Sequence, residues 1–487
     1  MYSASQWAAI GLSLVACGVA IFYADELSRL IPVDKASSTS AFTDAEHALF
    51  LASMEYHARP KAHHTKNRLA FCCSADVDVS IRATDLMEKF EHSHDIVPRH
   101  HERINSNVEL MESFGHYFSQ GAAAEQSMSS AEAFHQVVQL AKSIPTVESA
   151  LGGNAAQMAQ RAAYEGFEVL LGGAVGTDMR TLFHPNVQVV GSVEDGGQED
   201  VHLVLEYAKG DAVNNLVSPR ANRYYLNHDV YNARLSVLEE FDQALTTRLK
   251  DLSAMLQRIT ATKSTLTHYE FAAASDFTLF DDTVKLVLPH VHSIGFNEQE
   301  LAILHHFLMT GEELVTTSSR PSVATVTSQL ADVIAYAAQA ASIHQADPAA
   351  AAPLHGLTRL HFHTLQFHIL CQKRGSGWEN PMTALMQAAL ISSKLACGDR
   401  SRGVKGADIS IVPSLVEILL PRSTPLTASG ITWDIDPRSP TATWTEGDFQ
   451  CYVVPMLACK KPDHTCGLGD NISGMGMAYH GHAFPDK

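Results

Sequence analysis

The chain has 487 residues, with 35 Lys and Arg against 53 Asp and Glu, a formal charge of −18. Hydrophobic residues at 46% and charged residues at 18% exclude a disordered, collagen-like or coiled-coil chain and leave ample length to bury a core. Acidity of this size excludes nucleic acid as the main partner, because phosphate backbones need a basic surface, while small polyanions stay open to local arginines.

Met1 to Ala24 carries no charged side chain, and its apolar stretch Trp7–Tyr23 runs up to Asp25 and Glu26. This predicts a signal peptide or signal anchor over 1–24, hence a secretory-pathway lumen, with membrane contact only through that segment if it stays uncleaved. The alternative is a buried N-terminal helix. Residues 25–66 read as a tether and lead-in helix, and 67–487 as the main body. Eight cysteines include Cys17 in the apolar segment and show no CxxC spacing, which allows one disulfide near the C-terminus but no disulfide framework.

Along the body, Arg68-Leu-Ala-Phe-Cys-Cys73 reads as a strand that ends in an acid-bearing loop, Ser74-Ala-Asp-Val-Asp78. Residues 83–118 read as helix and loop. Ser129-Ser-Ala-Glu132 has capping-box spacing, with Phe134, Val137, Val138 and Ala141 following at helical intervals. Leu151-Gly-Gly-Asn-Ala-Ala156 is a glycine turn opening a helix. Phe167–Gly172, Val187–Val190 and Val201–Glu206 read as strands, Leu235–Leu252 as a helix, and Glu270 closes a short strand. Val284–Leu288 and Val291–Phe296 lead to Asn297-Glu-Gln-Glu300, which opens a helix through Leu308. Leu330–Ile343 is an Ala-rich helix, Leu357–Leu370 contains one long extended stretch, and 383–397 is helical. Residues 400–450 read as loops and edge strands, and Phe449–Cys459 as a buried strand before the last glycine turn and helix. Strands alternating with helices predict an α/β fold with a largely parallel sheet and an active site at the carboxyl ends of strands.

The sharpest motif is Gly467-Leu-Gly469-Asp470. Two glycines entering a helix let backbone N–H groups form an anion hole, and Asp470 beside it can take a proton from an attacking hydroxyl. Standing alone, the motif also fits a glycine turn with an Asp cap. Gly153 and Asn154 offer N–H groups and an amide to sugar hydroxyls. Asp78 and Glu206 place carboxylates at two more strand ends, and either alone reads equally well as structural. Arg223, in Pro219-Arg-Ala-Asn-Arg223, suits a bidentate phosphate contact or a surface salt bridge. Glu270 of His268-Tyr-Glu270 and Glu300 suit an Mg²⁺ carried by a nucleotide, or, for Asn297 and Glu300, a plain helix cap. The adjacent pairs among the 26 histidines, His63-His64, His100-His101 and His305-His306, point to different faces and make poor metal pairs. His361 and His363 share a strand face but lack a nearby third ligand in sequence.

Taken together, these pieces, with Gln120-Gly-Ala-Ala-Ala-Glu125, Leu203-Val-Leu-Glu206-Tyr, His228-Asp229 and His361-Phe-His-Thr-Leu365, resemble the animal ADP-dependent glucokinases of the ribokinase-like superfamily from about Arg68 to His480. The resemblance implies an α/β, Rossmann-type three-layer sandwich with a smaller α+β lid drawn mainly from about 79–150 and 178–228. It implies transfer of the β-phosphoryl of ADP to the 6-hydroxyl of glucose, releasing AMP, with one Mg²⁺. Asp470 is then the base and part of the metal site with Glu270 and Glu300. Asp78, Glu125, Gly153 and Asn154 hold glucose, and Arg223, His361, Gly467 and Gly469 hold the nucleotide. A monomer in the endoplasmic-reticulum lumen, or secreted, is the expected state.

Two departures stand out. The family usually has Asn where Ser74 stands. Animal members also carry a longer segment where this chain has Phe241 to His268, with a buried strand and a Gly-Leu-His loop, whereas Asp242–Thr267 here is mostly polar and helical. The expectation is a sheet lacking one internal strand. The competing readings are an ATP-dependent sugar kinase of the same superfamily and a binding-only variant that kept the fold.

Overall fold

The computed structural model describes residues 42–481 apart from 59–67, 73, 91–96, 192, 194–198, 233–244, 262–264, 272–276, 315–321, 349, 351, 365, 398–403, 412–416, 419–430, 433–434 and 461–466. The segment 1–24, the tether to residue 41, Cys73, Cys466, Leu365, the paired His63-His64 and the first part of the Leu235–Leu252 helix lie outside the described residues.

Helix α1 (Asp44–His57) begins at a capping box in which Thr43 N–H donates to Glu46 Oε2 at 2.7 Å. The chain then runs β1 (Arg68–Cys72), β2 (Asp76–Arg82), α2 (Ala83–Met87), α3 (Asn107–Gln120), β3 (Ala124–Ser127) and α4 (Ala131–Lys142). Next come β4 (Glu148–Gly152), α5 (Asn154–Tyr164), β5 (Glu168–Gly172), β6 (Val187–Val190), β7 (Val201–Tyr207) and β8 (Asn222–Asn227). The second half holds α6 (Leu245–Ala261), β9 (His268–Glu270), α7 (Phe277–Leu286), β10 (Ser293–Phe296), α8 (Glu298–Thr310) and α9 (Val323–Ala346). It continues through β11 (Arg359–His363), β12 (Phe367–Lys373), α10 (Pro381–Ala396), β13 (Ala442–Glu446), β14 (Phe449–Pro455) and α11 (Leu468–Ala478).

Three sheets carry the architecture. A parallel sheet has the order β1-β5-β6. A six-stranded sheet, β9-β10-β11-β12-β14-β13, is parallel up to β11 and antiparallel beyond it. The expectation of a largely parallel sheet is corrected here. The stretch Leu357–Leu370 is two strands folded back as a hairpin, in which Gln366 and Phe367 N–H groups donate to Thr364 Oγ1 at 3.0 and 3.1 Å. The core of this sheet joins Phe50 and Met54 of α1, Phe280 and Val284 of α7, Leu301 and Leu304 of α8, and Val333 of α9 to Leu360, Phe362 and Ile369. Among the described residues β1 and β9 each have a strand neighbour on one side only, and the stretch before β9 forms α6.

The third sheet, β3-β8-β7-β2-β4, is mixed and obeys strict alternation. Val79, Ile81, Leu203, Leu205, Tyr224 and Leu226 point to one face and pack on Leu86, Phe114, Phe118, Val137 and Val138 of α2, α3 and α4. The opposite face carries Asp76, Asp78, His202, Glu206, Arg223, Tyr225, Asn227 and Glu125 by the same two-residue period. Asp78 and Arg223 therefore lie within strands rather than in the loops read from sequence. Strand β6, inside the 178–228 stretch, pairs with β5 and not with this sheet. Helix α4 is capped by Ser130, whose Oγ accepts from Ala133 N–H, so the Ser129–Glu132 spacing is not a capping box. Among the described residues two disulfides form, Cys371–Cys451 between β12 and β14 and Cys397–Cys459, where sequence allowed one.

Phe114 is fully buried and meets Phe118, Tyr207 and Tyr224 at ring-centroid distances of 5.1–6.0 Å. Phe114→Ala is expected to cost about 3–5 kcal/mol. Hydrogen exchange checks it: amides of β2 and β7 should lose protection while those of β12 and β14 keep theirs.

Candidate active site

Helix α11 follows Gly467, whose φ of 64° is a left-handed turn that glycine adopts without strain. The helix lies against the His361 and His363 face of β11. A Cβ on Gly469 would stand 3.1 Å from His363 Cε1, and one on Gly476 only 2.5 Å from His361 Cε1. These glycines, seven residues apart, let the helix settle onto a layer of imidazoles, and so place Asp470 in the first turn at the mouth of the sheet.

Below Asp470 sits a hydrogen-bonded carboxylate. Glu270, at the carboxyl end of β9, meets His363 Nε2 at 2.8 Å through Oε1 and His268 Nε2 at 3.2 Å through Oε2. His268 Nδ1 is 2.9 Å from Ser293 Oγ. Burial alone raises the Glu270 carboxyl, but the two imidazoles outweigh it and hold it down to about 2. Gly295 leaves the room it occupies, since a Cβ there would overlap Glu270 Oε2. Asp470 goes the other way. Burial pushes it up, Glu270 and Asp78 add to that, Arg223 and His363 oppose it, and the carboxyl settles at about 7.

Glu300 is nearly fully buried and forms a complete capping box with Asn297: its Oε2 accepts from Asn297 N–H at 2.7 Å and its Oε1 from Asn297 Nδ2 at 2.9 Å. Burial and the nearby charges of Glu270, Glu298 and Asp470 hold its carboxyl well above the ordinary range, against the Asn297 bond. The cap and an active-site position are thus both present in one side chain.

Facing this group is the polar side of the five-stranded sheet. Asp78 pairs in register with His202 and feels the charges of His202, Arg223, Glu125 and Glu206; burial dominates and raises it to about 6. His202 Nε2 meets Asp229 Oδ1 at 2.9 Å. Glu125 Oε1 accepts from Asn227 Nδ2 at 2.8 Å, and its carboxyl is raised by burial. Arg223 donates through Nε to Tyr225 Oη at 3.2 Å and lies over that ring. Gly153, at φ 80°, caps α5 with its α-carbon pressed on the Ser74–Ala75 backbone, where a Cβ would come within 2.8 Å. Asn154 is the first residue of α5 and is half-buried.

The structure therefore brings together Asp470, Glu270 and Glu300 on one side and Asp78, Glu125, Gly153, Asn154 and Arg223 on the other, with Gly467 and Gly469 between. His361 is not among them. It is fully buried under α11, with burial and the Arg359 charge pushing its imidazole well below the ordinary range, and His363 stands at the site in its place. The sequence motifs included Asp76, His202 and Asp229 but assigned none of them a site role. The signal for two of them was there: Asp76 and Asp78 are two residues apart, and His202 shares a strand face with Glu206.

A sequence profile described as ADP-specific Phosphofructokinase/Glucokinase conserved region matches residues 67–248 and 244–479. The chain is 29% identical to the ADP-dependent glucokinase of Bos taurus over 441 residues, covering 85% of this chain and 84% of that one. It is 27% identical over 463 residues to the probable ADP-dependent glucokinase of Caenorhabditis elegans, covering 89% of both. A solved structure of an ADP-dependent kinase in complex with fructose-6-phosphate and ADPβS superposes at a TM-score of 0.59 with 14% identity, covering 90% of this chain and 97% of that one, a likeness of fold. The chain belongs to the ADP-specific phosphofructokinase/glucokinase family.

Proposed function

We propose that the protein transfers the β-phosphoryl group of ADP to the 6-hydroxyl of glucose. The observation that carries this is Asp470, a half-buried carboxyl at the first turn of α11 that feels Glu270 and His363 on one side and Arg223 and Asp78 on the other. The sugar oxygen attacks the β-phosphorus, the bond to the α–β bridging oxygen breaks, AMP leaves, and the hydroxyl proton passes to Asp470. Such a transfer needs mainly positioning and charge neutralisation, so one aspartate suffices as base. Asp78, Glu125, Gly153 and Asn154 hold the sugar, and Gly467, Gly469 and Arg223 receive the phosphates.

Glu270 and Glu300 fit an Mg²⁺ ion held through water. Their oxygens are hard donors, Glu270 is ionised, and among the described residues they do not converge with Asp470 into a direct three-ligand cluster. When bound with the nucleotide, Mg²⁺ neutralises phosphate charge. The uncharged segment 1–24 and the disulfides Cys371–Cys451 and Cys397–Cys459 support a secretory-pathway lumen, endoplasmic reticulum or secreted. Among the described residues no helix is long and apolar enough to cross a membrane.

The full chain, supplied with glucose, Mg²⁺ and either ADP or ATP, is expected to form glucose 6-phosphate and AMP from ADP. Turnover with ATP alone overturns the donor assignment, and sugar binding without turnover overturns the enzyme reading. Asp470→Asn should lose about 10²- to 10⁴-fold in kcat. The wild-type kcat/KM should fall as pH drops below about 7, where Asp470 takes up its proton. The same shift gives a stability signature that separates lost chemistry from lost fold. A carboxyl raised by burial stays neutral in the folded state while its unfolded counterpart ionises, so it costs stability increasingly as pH rises from about 4 to about 7. Asp470→Asn should therefore melt higher than wild type at pH 8 and level with it at pH 4. Arg223→Ala should lower kcat/KM for ADP by about 10- to 100-fold, the worth of a hydrogen bond to a charged group.

A further inference from the structure

The polar face of the five-stranded sheet holds a second, differently built cluster. Asp76 and Asp78 lie two residues apart on β2 and so share a face, and parallel pairing sets His202 of β7 beside Asp78. Gly152 of β4 is the register partner of Asp76. Having no side chain, it leaves the space over which both carboxylates lean, since a Cβ there would stand 2.1 Å from Asp76 Oδ1 and 2.7 Å from Asp78 Oδ1. One donor atom from each of Asp76, Asp78 and His202 lies within 4.8 Å of the others. Asp76 Oδ1 is 3.7 Å from His202 Nδ1, close to the roughly 3.4 Å that two donors about 2.1 Å from a tetrahedral ion would show.

Two further observations point to a ligand. Asp76 is fully buried and Asp78 nearly so, yet Oδ1 of each has no hydrogen-bond partner. The other oxygen of Asp76 accepts from Asn232 Nδ2 at 3.1 Å, which fixes the carboxylate's orientation. His202 engages Asp229 Oδ1 through Nε2 at 2.9 Å, which turns Nδ1 toward the two carboxylates. A carboxylate behind an imidazole that faces an ion is the recurring outer shell of protein metal sites.

We propose that Asp76, Asp78 and His202 form a site for a divalent first-row transition-metal ion, separate from the Mg²⁺ site of the nucleotide. The mixed donor set of two carboxylates and one imidazole suits Zn²⁺, Co²⁺ or Mn²⁺ better than Mg²⁺, which prefers oxygens and its own water shell. Because Asp78 also belongs to the proposed sugar cradle, an ion seated there displaces the sugar, and free transition metal acts as an inhibitor competing with glucose. The ion site rests on the three side chains alone, and only the competition rests on the sugar reading.

Co²⁺ is the probe, titrated into the full chain without nucleotide and followed by its visible absorption. One saturable spectral change is expected in the parent protein. Asp76→Asn and, independently, Asp229→Asn should each weaken Co²⁺ binding by about 10- to 100-fold with the far-ultraviolet dichroism unchanged. Saturating glucose should weaken it similarly in the parent. Co²⁺ affinity that is equal in the parent and in a folded Asp76→Asn or Asp229→Asn chain means binding by surface histidines only and overturns the site. If Asp76→Asn does not fold, Asp229→Asn decides. Turnover with ADP, glucose and Mg²⁺ is assayed apart, so an inactive chain that binds Co²⁺ counts against the kinase reading and not against the ion site. Binding unaffected by glucose, in a chain that phosphorylates glucose, overturns the shared cradle.

Discussion

The site is governed by an excess of buried negative charge. Asp470, Glu270, Glu298 and Glu300 lie at one face, and Asp76, Asp78 and Glu125 at the other, while Arg220, Arg223, His202 and His363 supply the opposing charge. Taking carboxylates out of water is costly unless each finds a proton, a cation or a donor. The chain uses all three means. Glu270 keeps its charge by taking two imidazole partners, whereas burial raises Asp470 to about 7 and holds Glu300 well above the ordinary carboxylate range. The many histidines thus have a physical occupation: His202, His268 and His363 stand beside acids where a lysine's longer stem and obligate charge would fit less well.

Holding such a cluster requires rigid supports. Helix α11 packs against α5 and α10 as well as β11, and its glycines replace side-chain volume with backbone proximity. Glycine inside a helix costs about 0.5–1 kcal/mol relative to alanine. Here that cost secures a fixed height for Asp470 above Glu270. On the same face of β11, Arg359 is fully buried, donating to His480 Nδ1 at 2.7 Å and Ser293 Oγ at 2.9 Å, with burial lowering its guanidinium to about 9. Ser293 also meets His268, so one hydroxyl ties the buried arginine to the imidazole that holds Glu270.

Much of this was legible in the residues. Glycine turns before α5 and α11, the Asn297–Glu300 cap and the strand carrying Glu270 all have local signatures, because caps and turns are decided by neighbours in sequence. The failures have a common cause in long-range pairing. Asp78 and Arg223 look like loop residues until β2 pairs with β7, 124 residues on in register, and β8 pairs with β7 and with β3, at which point alternation puts both on one face. The hairpin of β11 and β12 hid inside one extended stretch, Leu357–Leu370, because both strands are buried on both faces and the turn at Thr364 carries no glycine or proline to mark it. His361 and His363 are equivalent by spacing; only the landing of α11 decides which is sealed in and which meets Glu270.

The wiring of the site also has a consequence in time. The half of the site carried by the five-stranded sheet is made by Asn227, while the half carried by α11 waits for Gly467 to Asp470, about 240 residues later. At translation rates of about 5–20 residues per second, the interval is roughly 12–50 seconds. During it a nascent chain displays the acid-lined strands with Asp470 not yet opposite them, so the buried carboxylates of one half exist for a time without the other half that encloses them.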